Sequence, residues 1–90
     1  MVAFTGGSES GAQVYQAAAK GLKRCTLELG GKSPNIVFDD AVLEDAVKGV
    51  ISGIFAATGQ TCIAGSRLLV QRSIHDQFVD KLVALAKTAK

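Results

Sequence analysis

The sequence predicts an α/β protein in which short strands alternate with amphipathic helices. In the strand segments apolar residues recur at every second position, and in the helical segments at every third or fourth. Of the 90 residues, 48% are hydrophobic and 20% are charged, which is typical of a core-forming chain and not of a disordered one. The predicted order is βαββαβα. Its strands are too few and too apolar to close a core alone, so we expect part of a larger fold.

The first third of the chain is predicted to form a strand, a helix and a second strand. Residues 2–5 are short, apolar and β-prone, and Cys25–Leu29 alternates between apolar and polar residues. The helix is expected over residues 10–20, followed by Gly21 as its C-terminal cap, with Lys20 at the negative end of the helix dipole. The predicted apolar side of this helix carries Val14, Tyr15, Ala18 and Ala19.

The middle of the chain is predicted to form a strand over residues 35–38 and a long helix after it. Asp39 and Asp40 are natural N-cap candidates for that helix, which keeps its apolar period as far as Thr58 and Gly59. The residues on its apolar side are Leu43, Val47, Val50, Ile51, Ile54 and Phe55.

The last third is predicted to form a strand over residues 67–71 and a final helix. Ser73 and Asp76 have the spacing of a capping box at the start of that helix. Its single apolar stripe consists of Ile74, Phe78, Leu82, Leu85 and Ala89.

Charge and composition point to no particular class of partner. The net charge is +2, and the basic cluster of Lys20, Lys23 and Arg24 has no interleaved aromatic residues, so we interpret it as a solvated turn and expect no nucleic-acid partner. No apolar run is long enough to span a membrane, and from the first residues we expect no leader sequence. The two cysteines form no CxxC unit. We therefore expect reduced thiols and a cytoplasmic setting.

A glycine-rich turn joins the first strand to the first helix. Gly6, Gly7, Ser8 and Gly11 lie where free backbone N–H groups at a helix start can bind an anion. The spacing is not GxGxxG, and strand–glycine–helix turns are also common without any ligand. From the turn alone, a purely structural role is the commoner alternative.

Glu28 is the unusual residue of the second predicted strand. It stands between Leu27 and Leu29, just before a Gly-Gly pair. A carboxylate there either faces water at a sheet edge or lies at a cleft as a general base. The local sequence leaves both interpretations open.

Cys62 is the candidate nucleophile, because its small neighbours Gly59, Ala64 and Gly65 leave room for a substrate. The alternative is a buried core cysteine, a role that Cys25 fits better because it alternates with leucines. His75 is predicted to lie on the surface. With one histidine and no CxxC pair, no metal site is expected.

Three motifs together resemble the aldehyde dehydrogenase superfamily. They are FTG at residues 4–6, ELGGKSP at residues 28–34 and GQTCIAGSR at residues 59–67, in the family's order and at its spacing. The resemblance implies that Cys62 attacks an aldehyde to form a thiohemiacetal, whose oxyanion the Cys62 backbone N–H helps to hold. Oxidation then gives a thioester, and Glu28 activates the water that hydrolyses it to a carboxylic acid.

The resemblance also implies a cofactor, NAD or NADP. By analogy, Gly6, Gly7, Ser8 and Gly11 face its pyrophosphate, and the Leu29 carbonyl contacts its nicotinamide. The family usually has serine at the position of Gly7, so a hydroxyl donor is missing there. The presence of Glu28 favours the hydrolysing branch over the branch that transfers the acyl group to coenzyme A.

The implied fold is a fragment of the aldehyde dehydrogenase fold. Residues 1–31 would end the Rossmann-like cofactor domain, and residues 32–90 would begin the α/β catalytic domain. The substrate is expected to be a small aldehyde, and the parent enzyme is expected to be a homo-oligomer.

Two alternatives to a segment of an active enzyme remain. The first is a non-catalytic remnant of such an enzyme, inactive on its own. The second is a phosphate-binding module built only on residues 6–11, which leaves Glu28 and Cys62 unexplained.

Overall fold

The computed structural model describes residues 1–88, and the chain divides into two compact units, Met1–Gly31 and Lys32–Lys90. The helices and strands follow the order βαββαβα, so the α/β prediction is confirmed. Each unit consists of a pair of parallel strands with helical connections.

The first unit is a single βαβ element. Strand β1 (Val2–Gly6) leads into helix α1 (Ser8–Lys20), and strand β2 (Cys25–Leu29) then pairs with β1 in parallel. Parallel neighbours require a crossover connection, and α1 provides it. The helix begins at Ser8, two residues before the predicted start, so the glycine turn between β1 and α1 shortens to Gly7.

The buried stripe of α1 differs from the predicted one. Gly11 and Ala18 are buried and Val14 is half-buried, which gives one line of positions along the helix. Tyr15 and Ala19 were predicted on this side but are exposed, Tyr15 to 57%. The prediction was wrong for these two because each lies one position, about 100° of helix rotation, beyond the line that packs.

Gly21 is the C-cap of α1, as predicted, and its N–H donates to the Ala18 carbonyl at 3.2 Å. The left-handed residue of this ending is Leu22, with φ of 51°. The Lys23 N–H also donates to the Ala18 carbonyl, at 3.0 Å, so the last turn of the helix closes with backbone bonds.

The second unit contains the other two strands and two helices. Strand β3 pairs in parallel with β4, with Pro34 opposite Arg67 and Val37 opposite Val70. A 3₁₀ turn follows the first of its helices and another precedes the second. The elements are β3 (Pro34–Val37), α2 (Leu43–Phe55), a 3₁₀ turn (Ala56–Gly59), β4 (Arg67–Val70), a 3₁₀ turn (Arg72–Ile74) and α3 (His75–Ala86).

The core of the second unit lies between one face of its strand pair and helices α2 and α3. Phe78 of α3 is fully buried at its centre. The opposite sheet face is apolar and open, with Ile36 60% and Leu69 49% exposed. Ala89, predicted to belong to the stripe of α3, lies outside the described residues. The buried core residues are Val37, Val47, Val50 and Phe78, with Leu43, Ala46, Leu68, Val70, Ile74, Leu82 and Leu85 packed against them.

Neither predicted side-chain cap of the second unit forms. Helix α2 begins at Leu43 after Val42, and the N-cap of α3 is Ile74, in each case without a side-chain cap bond. The acceptors and donors are used elsewhere. The Asp39 carboxylate accepts from Gln71 Nε2 at 2.6 Å and from Ser73 Oγ at 3.0 Å, Asp76 contacts His75, and Asp40 lies in a turn. The bonds of Asp39 tie the segment after β3 to the segment after β4 instead of capping a helix.

Candidate active site

The carboxyl ends of β1 and β2 bring several of the predicted site residues together. The parallel register places Thr5 beside Glu28 and Gly6 beside Leu29. Ligands of parallel α/β sheets bind at this edge, outside the carboxyl ends of the strands. The glycine turn leaves the sheet at the same edge, since Gly7 directly follows β1.

Gly7 is the N-cap of α1 and supplies no side-chain hydrogen bond to the helix start. The Gly11 N–H donates to the Gly7 carbonyl at 2.9 Å, which is the first bond of the helix. The backbone N–H groups that precede Gly11 at the helix start therefore have no acceptor within the helix. A Cβ placed on Gly7 would meet nothing within 4 Å, so this surface is open. Free donors on an open helix start fit an anionic group such as a phosphate.

Gly6 of β1 and Gly11 of α1 allow close packing on either side of the turn. A Cβ on Gly11 would lie 2.6 Å from Leu29 Cδ2, and a Cβ on Gly6 would lie 2.7 Å from Phe4 Cζ. Gly11 thus allows the first turn of α1 to lie directly against Leu29. The predicted cofactor residues Gly6, Gly7, Ser8, Gly11 and Leu29 consequently lie next to one another in the first unit, with Gly7 and Ser8 exposed and Gly11 buried against Leu29.

Glu28 lies at the same edge but on the other face of β2. Leu27 and Leu29 are half-buried, whereas Glu28 is exposed, as the alternation of a strand requires. The neighbouring residue on β1, Thr5, is exposed as well. The carboxylate is therefore accessible to water, which both interpretations of this residue require.

The loop before Cys62 begins with an unusual backbone. Ala57 and Thr58 have φ of 49° and 56°, and Gly59 has φ of 76°. The left-handed conformation costs a non-glycine residue about 1–2 kcal/mol, and such residues cluster at functional sites. The bonds that hold this segment are local: the Gln60 N–H donates to the Ala57 carbonyl at 3.0 Å, and Gln60 Nε2 donates to Thr58 Oγ1 at 2.8 Å.

Cys62 occupies a tight turn and is exposed. The Ala64 N–H donates to the Thr61 carbonyl at 3.1 Å and closes the turn, with Cys62 and Ile63 at its tip. Cys25, by comparison, is half-buried. Among the residues that the structure describes, no backbone carbonyl accepts from the Cys62 N–H. An accessible thiol beside a free N–H is the local arrangement that covalent attack on a carbonyl needs.

The two longer motifs meet inside the second unit. Arg67, the last residue of the motif around Cys62, donates from Nε to the Lys32 carbonyl at 2.8 Å and from its backbone N–H to the Ser33 carbonyl at 3.3 Å. The next residue along, Pro34, is paired with Arg67 in the strand register. The motif that contains Glu28 therefore continues into the strand that anchors the loop of Cys62.

Sequence reasoning missed Asn35, which also anchors this loop. Its Nδ2 donates to the Gly65 carbonyl at 3.2 Å. The signal was available, because alternation along β3 places Asn35 on the same face as the buried Val37, where a polar side chain needs a partner.

The remaining titratable residues form no further site in the part of the chain that the structure describes. His75 is exposed, as predicted, with Nδ1 at 2.8 Å from Asp76 Oδ1. No group of three or more histidine, cysteine or acidic side chains within residues 1–88 could hold a metal ion. Over the same residues, no helix combines the length and apolar character that a membrane crossing needs.

Comparison with known proteins gives a consistent picture. The sequence model that describes the aldehyde dehydrogenase family matches residues 1–90 of this chain. The chain is similar to the betaine aldehyde dehydrogenase of Bacillus subtilis, with 52% identity over 90 residues, which is 100% of this chain and 18% of that protein.

Solved structures agree in backbone as well as in sequence. A betaine aldehyde dehydrogenase from Staphylococcus aureus, in complex with NAD⁺, superposes with a TM-score of 0.95 at 47% identity, over 99% of this chain and 18% of that one. An NAD⁺ complex of an aldehyde dehydrogenase from Bacillus cereus gives 0.93 at 46% identity, over 98% and 18%. The chain thus spans about a fifth of the length of the relatives it matches.

Proposed function

Because this chain belongs to the aldehyde dehydrogenase family, we propose that it carries the nucleophile and general base of an NAD(P)-dependent aldehyde dehydrogenase. The protein would oxidise a small aldehyde to the carboxylic acid. The observation that carries the proposal is the turn of Cys62, which exposes the thiol and leaves its N–H free within a motif that matches the family.

In the first step the Cys62 thiolate attacks the aldehyde carbon. A carbon–sulfur bond forms, and the carbonyl electron pair moves to the oxygen, which becomes an oxyanion. The Cys62 N–H, which has no acceptor among the described residues, would donate to that oxyanion as one part of its binding site. Collapse of the thiohemiacetal transfers hydride from the same carbon and leaves a thioester on Cys62.

In the second step Glu28 acts as the general base. Its carboxylate accepts a proton from water, and the oxygen of that water attacks the thioester carbon. The carbon–sulfur bond breaks, releasing the carboxylic acid and returning the thiolate of Cys62. Exposure of Glu28 on the open face of β2 supports this role, since a base for hydrolysis must reach water.

The cofactor would be NAD or NADP, which when bound supplies the hydride acceptor. The backbone N–H groups of Gly7 and Ser8, at the open start of α1, would bind a phosphate of the cofactor. Gly6 would leave the end of β1 free of a side chain, Gly11 would let α1 lie close to Leu29, and the Leu29 carbonyl would contact the nicotinamide amide. Two of the solved relatives are NAD⁺ complexes, which favours NAD.

We assign Met1–Gly31 to the cofactor-binding domain and the unit from Lys32 onward to the catalytic domain of that enzyme. In the first unit the parallel strands end at a helix start that fits a phosphate, and in the second the loop of the nucleophile follows α2. A homo-oligomer in the cytoplasm completes the proposal.

A comparison of the two cysteines tests the function. In the full-length protein, Cys62→Ala should lower kcat for aldehyde oxidation by several orders of magnitude, since removal of a catalytic nucleophile costs on the order of 10⁶-fold. Cys25→Ala is the matched control and should keep kcat near wild type, because its half-buried side chain only packs. Turnover by Cys62→Ala at the rate of Cys25→Ala would refute the mechanism.

A further inference from the structure

Asn35 is a polar residue in an otherwise apolar strand. It lies on β3 between Pro34 and Ile36, which are exposed, and it is half-buried on the face that also carries the buried Val37. Its neighbour in the strand register is Leu68, which packs against the core. An amide at such a position costs free energy unless it is hydrogen-bonded.

The partner of this amide is the segment that follows Cys62. Asn35 Nδ2 donates to the Gly65 carbonyl at 3.2 Å, while the Gly65 N–H donates to the Gly53 carbonyl of α2 at 3.0 Å. Gly65 is therefore held from both sides, by a strand and by a helix, three residues after the nucleophile.

The amide leaves no room for a side chain at Gly65, whereas a Cβ at Gly53 would only come into ordinary contact with it. A Cβ on Gly65 would lie 2.1 Å from Asn35 Nδ2, and a Cβ on Gly53 would lie 3.6 Å from the same atom. The amide thus fills a gap lined by two glycines. A carbonyl oxygen only accepts hydrogen bonds, so at the Gly65 oxygen only the nitrogen side of the amide is compatible.

We propose that Asn35 is a positioning residue for the nucleophile, acting through the Gly65 carbonyl on the turn that presents Cys62. Gly65 follows Ala64, which is buried and whose N–H closes that turn. Fixing the Gly65 carbonyl fixes the end of the turn, and with it the direction of the Cys62 thiol and N–H. At the other end of the loop, the described bonds around the left-handed residues Ala57 and Thr58 stay within residues 57–60, whereas Gly65 ties the loop to β3 and α2. This role rests on the proposed function of Cys62.

The test compares Asn35→Leu with Gln71→Leu in the full-length protein. Asn35→Leu keeps the number and branching of the side-chain heavy atoms but removes the donor. Gln71→Leu removes an amide of the same kind from the other end of β4, where it bonds Asp39. Misplacement of a reacting group by about 1 Å costs on the order of 100-fold in rate. We expect Asn35→Leu to lower kcat by about 10- to 100-fold, with an unchanged KM for NAD⁺, and to lower the rate of Cys62 alkylation by iodoacetamide across its pH profile.

Gln71→Leu is expected to change the thermal midpoint but neither kcat nor the alkylation profile. If Asn35→Leu does not fold, Asn35→Asp replaces it, since it keeps the shape and puts an oxygen against the Gly65 carbonyl. A kcat and an alkylation profile within twofold of wild type in a folded Asn35 variant would overturn the proposal. So would equal losses in the Gln71 variant. Cys62→Ala separates the positioning role of Asn35 from the nucleophile role of Cys62. Activity that survives this substitution refutes the proposed function itself.

Discussion

The surface around the glycine turn and the loop of Cys62 are built in different ways. The described side-chain hydrogen bonds all lie between residues 32 and 88, and within Met1–Gly31 only backbone bonds and packing hold the site residues. The loop of Cys62 is instead anchored by the side chains of Asn35 and Arg67.

The difference follows from what each region is proposed to do. A phosphate is bound by N–H groups that every residue has, so the first region needs small residues that keep the backbone accessible. A nucleophile is one side chain in one direction, so the second region needs donors that fix a loop. Atoms added at its closely packed glycines should therefore damage the first region, and removed donors should damage the second.

The largest effect in the first region is expected from Gly11→Ala. The new Cβ meets both methyl groups of Leu29, at 2.6 and 3.2 Å, so the half-buried Leu29 side chain must shift to make room. Overpacking costs about 1–3 kcal/mol, against a helix-propensity gain of about 0.5–1 kcal/mol. We expect a lower thermal midpoint and weaker NAD⁺ binding, measured by calorimetry on the full-length protein.

Gly49→Ala is the control for that variant, because it makes the same change in α2 where a Cβ meets nothing within 4 Å. It should be neutral or slightly stabilising. Equal midpoints for the two variants would show that the approach of α1 to Leu29 does not constrain the first unit.

A smaller effect is expected from Gly7→Ser, which adds atoms where the surface is open. The backbone of Gly7, with φ of −72° and ψ of 154°, accommodates any residue. The hydroxyl of the introduced serine would restore the donor that the family usually has. A hydrogen bond to a charged group contributes about 1.5 kcal/mol or more, so NAD⁺ should bind about tenfold more tightly. Gly7→Ala lacks the hydroxyl and should bind as wild type does. Tighter binding by the alanine variant as well would contradict the assignment of Gly7 to the phosphate.

The smallest effect concerns the ion pair between Glu44 of α2 and Lys81 of α3. The hydrogen bond and charge of Lys81 lower the pKa of Glu44 from its ordinary value. The unfolded chain then binds more protons, so the pair stabilises the fold above the ordinary carboxyl pKa, and this contribution is lost as the pH falls through the lowered folded value. Glu44→Gln should lower the thermal midpoint slightly at neutral pH and not in acid. A midpoint difference that is independent of pH would exclude the ion pair as its cause.

Local sequence patterns predicted the strands and helices. They did not predict the hydrogen bonds that join residues far apart in the chain. Alternation along Cys25–Leu29 and the helical period after Leu43 are properties of neighbouring residues, so both were readable from the sequence. Asp39 was expected to cap α2, but its carboxylate binds Gln71 and Ser73, more than 30 residues away. Alternation along β3 indicates that Asn35 needs a hydrogen-bond partner, but that partner is a carbonyl 30 residues along the chain, which no local pattern identifies.

The roles of Glu28 and Cys62 are tested most directly by trapping the thioester that Cys62 would form and that Glu28 would help to hydrolyse. The full-length Glu28→Gln protein is mixed with aldehyde and NAD⁺, and the peptides are examined by mass spectrometry. The account predicts one burst of NADH per active site, followed by an acyl group that persists on Cys62, because hydrolysis has lost its base. Normal steady turnover, or an acyl group on Cys25 in place of Cys62, would contradict it.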